Sequence, residues 1–223
     1  MAKLADGTPL PGRLFVVEGI DGSGKSTQLD LLRKSLIARG YCVAFSEWNS
    51  SPLVRDTIKR GKKTKILTPT TFSLLHAADF VYRMEQQMIP ALKAGAIVLA
   101  DRYIYTAYAR DVARGVDPEW VREVYALAVV PTVALYFRVP LEESLRRIQR
   151  RVGLRLHRRA DRAQFGALPA ALWADPQVLR ECGRLCGIER AIDVRGKELR
   201  VRMPHVARPV PLAVAVSDNN AHS

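Results

Sequence analysis

The sequence predicts an α/β fold in which a five-stranded parallel sheet is covered by helices on both faces, a three-layer α/β/α arrangement. Short, uninterrupted apolar runs alternate along the chain with longer segments of helical periodicity, the pattern of strands buried on both faces. A glycine-rich turn joins the first apolar run to the first helical segment, as in a βαβ unit.

The elements follow in order. Leu14-Phe15-Val16-Val17 reads as a buried strand. Residues 26–39 place Leu29, Leu32, Leu36 and Ile37 at helical spacing and stop at Gly40. Cys42-Val43-Ala44-Phe45 is the second strand, and residues 51–60 form a short helix ended by Gly61. Thr68 and Pro69 are a cap and a first-turn proline, opening a long helix to about residue 93 with a kink before Pro90. Ala96-Ile97-Val98-Leu99-Ala100 is the third strand and ends on Asp101-Arg102. Helices over 104–114 and 118–128, a strand over 132–139 and a helix over 141–151 complete the regular pattern.

Past residue 152 the composition shifts to Arg, Ala, Leu and Pro, and lysine nearly disappears. A helix over 176–187 and a short strand over 191–194 are expected there, and 204–223 reads as a disordered tail. The organisation predicted is one domain over 1–223, best defined over about 13–151, with 146–175 as a candidate lid.

Composition narrows the partners. No apolar run approaches the roughly 20 residues needed to cross a bilayer, so no membrane partner is expected. Residues 1–12 lack the apolar core of a signal peptide, and the default expectation is cytoplasmic. Three cysteines make no disulfide framework. The net charge of +13 calls for anionic partners. With 7% aromatic residues and no single-strand-binding pattern, nucleic acid is not the expected one.

The motif that carries chemistry is Gly19-Ile20-Asp21-Gly22-Ser23-Gly24-Lys25-Ser26, with Thr27 following. It matches G-x-x-x-x-G-K-[ST] and sits between a predicted strand and a predicted helix, the context a phosphate-binding P-loop requires. Its glycines let successive backbone N–H groups point inward at phosphate oxygens, and the helix N-terminus adds partial positive charge. Lys25 is placed to bridge the β- and γ-phosphates of ATP, and the Ser26 hydroxyl to ligate Mg²⁺. Asp101 closes an apolar strand at the edge where open α/β sheets bind ligands, so it is a second candidate for Mg²⁺. Arg102 beside it offers a planar fork for another phosphate.

Phe15 through Leu29, with its Val17-Glu18-Gly19-Ile20-Asp21-Gly22-Ser23-Gly24-Lys25-Ser26-Thr27 core, resembles the opening of thymidylate kinases. Asp101-Arg102-Tyr103 matches their Asp-Arg-Tyr motif, Leu74 to Asp79 resembles their acceptor-site helix, and Pro131 to Phe137 the strand before their lid. The resemblance covers about 13–151. It implies transfer of the γ-phosphoryl group of ATP to a nucleoside monophosphate, dTMP first, with Mg²⁺ and a homodimeric protein. By that analogy Lys25 holds the transferring group, Ser26 and Asp101 serve the metal and Arg102 grips the acceptor phosphate. Asp21 reaches the acceptor sugar or a metal-bound water. A lid supplies arginines from Arg146, Arg147, Arg150, Arg151, Arg155, Arg158, Arg159 and Arg162, with Arg150 or Arg151 the first choice for ATP.

The departures cluster at the acceptor base. His76 stands where these kinases stack the base on phenylalanine, and Phe80 where they carry an arginine. Ser46-Glu47-Trp48 replaces Arg-Glu-Pro, and Ala109-Arg110-Asp111 replaces Ala-Tyr-Gln. His76 is either a stacking partner, aided by Trp48 or Phe80, or a helix residue without a ligand. Two other readings stay open: the same fold acting on a different acceptor, and an ATP-binding regulatory protein with little kinase activity.

Overall fold

The computed structural model describes residues 1–152 together with 190–193, 198–200 and 211–216. In chain order β1 (Arg13–Gly19) leads into α1 (Lys25–Ala38), followed by β2 (Val43–Glu47), α2 (Arg55–Thr64) and α3 (Pro69–Arg83). A π-helical turn, Met84–Met88, joins α3 to α4 (Ile89–Lys93); β3 (Ile97–Asp101), α5 (Ile104–Val112) and α6 (Pro118–Val124) come next. β4 (Val133–Arg138), α7 (Leu141–Val152), β5 (Arg190–Asp193), β6 (Glu198–Arg200) and β7 (Pro211–Val216) complete the order. The expected kink before Pro90 is that π-helical turn, where the missing proline N–H costs the ladder least.

Helices cover the sheet because each central strand is apolar on both faces. Leu14 and Val16 of β1, Val98 and Ala100 of β3, and Ala134 and Tyr136 of β4 join one core cluster with residues of α3, α5 and α6. The intervening Val17, Ile97, Leu99 and Phe137 pack on the opposite face against Leu29 of α1. The two-residue side-chain period of a strand therefore sorts one sequence into two cores.

Three expectations are corrected. The sheet has seven strands in the order β2-β3-β1-β4-β7-β5-β6, not five. Six run parallel, and β6 pairs antiparallel with β5. Residues 204–223 are not wholly a disordered tail, because Pro211-Leu-Ala-Val-Ala-Val216 is β7, inserted between β4 and β5. Its short apolar run was masked by the polar and proline-rich sequence around it. Gly61 does not end α2, which continues to Thr64; a Cβ at Gly61 would meet Leu67 at 2.2 Å, so the glycine serves packing. The helix expected over 176–187 and the greater part of the candidate lid lie outside the described residues.

The register brings Val17 opposite Asp101, so β1 and β3 deliver their carboxyl ends to one edge. Glu18 locks that edge. Its buried carboxylate accepts from Tyr103 N at 2.7 Å, Thr106 N at 3.2 Å and Thr106 Oγ1 at 2.8 Å. Those groups lie in the cap and first turn of α5, where backbone N–H groups have no helical partner and favour negative charge. Glu18→Ala strands the buried Tyr103 N–H and Thr106 hydroxyl together, while Thr106 N–H keeps Tyr103 O at 3.1 Å; we expect it to cost about 3 kcal/mol in urea unfolding, and a loss under about 1 kcal/mol would show that the carboxylate does not anchor α5.

Candidate active site

The loop between β1 and α1 is shaped by contacts that exclude side chains. Gly19 has φ +138° and a Cβ there would meet Phe137 O at 2.5 Å. Gly22 has φ +79° and a Cβ there would meet Ser144 O at 2.7 Å. The loop is thus pressed between the ends of β4 and α7, and Ser144 Oγ donates to Asp21 O across that contact. Lys25 is buried and folds back to donate from Nζ to Ile20 O at 2.9 Å. Burial pulls its ammonium down to about 8, assisted by the charge of Arg102 and opposed by Asp101, Asp21 and Glu18. Ser23, also buried, has a hydroxyl without a hydrogen-bond partner in the loop interior.

Ser26 Oγ donates to Asp101 Oδ2 at 3.1 Å, which joins the start of α1 to the end of β3. One hydroxyl and one carboxylate at a strand edge form a hard-oxygen donor pair, the kind that suits Mg²⁺ when phosphates and waters complete its shell. The protein groups present therefore fit that ion.

Arg102 adopts φ +70°, a left-handed backbone. This strained turn at a sheet edge separates two tasks. Its own N–H continues to Val17 O at 2.9 Å, while the next N–H turns to Glu18. The guanidinium is swung out to pair with Asp21 and to rest Nη1 on Thr106 Oγ1 at 3.3 Å. Burial works against ionisation of Asp21, but Arg102, Arg110 and Lys25 outweigh it and hold the carboxyl below its ordinary value. Burial raises the Glu18 carboxyl above its ordinary range, against the pull of Arg102 and the Tyr103 N–H.

Gly19, Ile20, Asp21, Ser23, Lys25, Ser26, Asp101 and Arg102 are thus gathered around one sheet edge. The residues expected at the acceptor base are placed differently. Phe80 is fully buried and packs edge-on against Tyr103 and Tyr125, at ring distances of 5.1 and 5.4 Å. It offers no face to a ligand, which corrects its assignment to acceptor binding; its helical period points it into the core. His76 is buried with its ring edge-on between Phe72 at 4.4 Å and Trp48 at 5.6 Å. Both ring nitrogens lack hydrogen-bond partners, and Nδ1 lies 3.9 Å from Asp111 Oδ1. Burial lowers its proton affinity against the pull of Asp111.

Among the candidate lid arginines whose side chains are described, the one brought to the phosphate loop is Arg147: its Nη1 lies 3.9 Å from where a Cβ on Gly24 would be. Glu143 orients it, accepting from Arg147 Nε at 2.7 Å. Arg150 is exposed, and the side chain of Arg151 lies outside the described residues. Sequence reasoning gave no role to Glu18, and it offered Arg83 only as a substitute, with different geometry, for the arginine missing at position 80; Arg83 is instead buried and paired with Asp79 at 2.8 Å behind Trp48. The signal for Glu18 was an acid interrupting an apolar strand directly before a glycine-rich loop.

The sequence model of the thymidylate kinase family matches residues 17–165. A protein of Saccharolobus solfataricus named "Probable thymidylate kinase 2" is 50% identical over 139 residues, covering 62% of this chain and 65% of that relative. The chain thus aligns with slightly under two thirds of that protein. A "Probable thymidylate kinase" of Thermococcus kodakarensis is 38% identical over 61% of this chain and 71% of its own length. A "Thymidylate kinase" of a Thermoanaerobacter species is 30% identical over 67% and 76%.

The depressed Lys25 has a consequence for stability. Unfolded, its ammonium holds its proton to the ordinary 10.5; folded, only to about 8. Between those values the folded protein binds fewer protons than the unfolded chain, so stability rises with pH through that window. The full increment is about 3 kcal/mol. Lys25→Met should flatten the rise when unfolding free energies are compared from pH 7.5 to 10, and an unchanged slope would exclude Lys25 as its source.

Proposed function

Because the chain belongs to the thymidylate kinase family, we propose that it phosphorylates a nucleoside monophosphate, dTMP before others, using ATP. The observation that carries this reading is the Asp21–Arg102 pair set beside Lys25. A nucleotide phosphate cradle alone needs only the loop; an arginine fork facing it supplies a grip for a second phosphate.

In this reading the reaction needs no base on the protein, since the acceptor phosphate oxygen is already ionised at neutral pH. The bond from the γ-phosphorus to the ADP oxygen breaks as a bond to the acceptor oxygen forms, giving ADP and a nucleoside diphosphate. The work left to the chain is alignment and charge neutralisation. Gly22, Gly24 and the start of α1 cradle the β- and γ-phosphates with backbone N–H groups. Lys25 leaves Ile20 O and turns its ammonium to the transferring group, whose negative charge restores its proton affinity. Arg102 trades its contact with Asp21 for the acceptor phosphate, and Asp21 is then available to the acceptor sugar. Ser26 and Asp101 would hold Mg²⁺, which supplies further neutralisation of phosphate charge when bound with ATP. Arg147, whose Nη1 reaches the phosphate loop beside Gly24, supports closure over ATP.

Release of ADP with dTMP, dUMP, dCMP and AMP tests the reading directly; a clear preference for another acceptor would remove dTMP. Lys25→Ala should lower turnover by about 100- to 1,000-fold, because it withdraws charge where the transition state gathers it. Arg102→Ala should raise the KM for the acceptor while leaving ATP affinity within a few-fold. Loss of ATP binding in that variant would move Arg102 to the donor side and sink the acceptor assignment.

A further inference from the structure

A basic ladder runs along one face of α5. Arg102 stands at its N-terminal edge with Nη1 on Thr106 Oγ1 at 3.3 Å. Arg110 lies one helical turn beyond Thr106, on the same face. Arg114 follows in the turn just past the end of α5, with its guanidinium 4.6 Å from the Phe72 ring centroid.

The carboxylates are shared unevenly among these cations. Asp21 pairs with Arg102, and Asp111 pairs with Arg114 at 3.2 Å. Arg110 makes no ion pair among the described residues, and its Nε is sealed from solvent without a hydrogen-bond partner. A buried guanidinium nitrogen left in this condition is costly, and such groups persist where a ligand satisfies them. The group is nevertheless held in the field of the site, since Asp21 and Glu18 both attract it. Burial first, and then the charge of Arg102, pull it down to about 10. The mutual repulsion of Arg102 and Arg110 is the electrostatic mark of a place prepared for an anion.

We propose that Arg110 is a second binding group for the acceptor phosphate, gripping it from α5 together with Arg102, which stands just before that helix. This rests on reading the site as that of a nucleoside monophosphate kinase. A phosphate monoester carries two negative charges and three terminal oxygens, enough to accept from both planar forks at once. Two guanidiniums against one dianion also leave Asp21 without its cation, so that it turns to a neutral hydroxyl of the acceptor.

Calorimetric titration of dTMP and of ATP into the wild-type protein, Arg110→Gln and Arg110→Lys tests this. Loss of a charge-assisted contact predicts dTMP affinity weakened by roughly tenfold or more in Arg110→Gln, with ATP affinity within about twofold of wild type. Arg110→Lys should regain part of the loss, because the charge returns without the fork. Unchanged dTMP affinity in Arg110→Gln overturns the proposal, as does an equal weakening of ATP and dTMP in both variants, the mark of a purely structural role. Should Arg110→Gln fail to fold, Arg110→Lys decides alone: dTMP weakened with ATP unchanged supports the grip, and equal affinities refute it. Failure of the unmutated protein to phosphorylate any monophosphate would count against the kinase reading instead, a result visible without any variant.

Discussion

The site depends on one buried carboxylate. Glu18 ends an apolar strand, lies inside the protein and spends its oxygens on the cap and first turn of α5. A carboxylate in an apolar interior is expensive unless it is matched by donors, and the start of a helix is where unmatched donors are available. That pairing fixes the distance between β1 and α5. It also forces the chain between β3 and α5 through the left-handed turn at Arg102, which aims the guanidinium at the phosphate loop. The donor cradle follows β1 directly, so both halves of the site hang from consecutive residues, Glu18 and Gly19.

Around that anchor three acids meet three bases. Glu18, Asp21 and Asp101 face Lys25, Arg102 and Arg110, and the charge of Arg102 helps to lower both Lys25 and Arg110. Lys62, reaching from α2 to lie 5.5 Å over the Phe72 ring, is lowered by burial and then by Arg110 and Arg114. Cations crowded enough to lower each other hold electrostatic energy that an anionic ligand releases on binding. The global charge of +13 says only that something anionic binds; the unpaired Arg110 Nε beside the Arg102–Asp21 pair is a more local sign of where.

The donor half was legible in the sequence because it is local. A strand, a glycine-rich turn and a capped helix lie within 30 residues, and the chemistry of Lys25 and Ser26 follows from their positions in that turn. The central strands were legible because strands covered on both faces are continuously apolar. The acceptor half was not, because it is assembled by packing. Helical spacing puts His76 and Phe80 one turn apart on α3, yet nothing in a period of 3.6 says whether that face meets a ligand or the core. The structure answers with Tyr103 and Tyr125 from α5 and the segment after α6, partners distant in sequence. β7 was missed for a related reason: its apolar run sits in polar, proline-rich sequence, and its place shows only when β4 and β5 are seen flanking it.

The altered acceptor wall is internally consistent. The thymidylate kinase pattern would place arginines at positions 46 and 80, where this chain has Ser46 and Phe80. Between those two positions lies the buried Arg83, donating from Nη1 to Ser46 Oγ at 2.8 Å and from Nε to Asp79 Oδ2 at 2.8 Å. Its guanidinium lies 5.5 Å from the Trp48 ring and 5.9 Å from that of Phe80. Asp79 in turn accepts from Asn49 N at 3.0 Å and Ser51 N at 2.9 Å, which pins the loop after β2 to α3. A serine at 46 is small enough to admit this guanidinium, and a phenylalanine at 80 gives it an aromatic neighbour while filling the core beneath α5. Each substitution makes room for or supports the others, so the wall has become a rigid support in which the arginine is structural. In the proposed reading, positive charge for the acceptor then comes from other residues. Arg110 on α5 and Arg102 just before it are the cations whose segment Glu18 holds in fixed register with the phosphate loop.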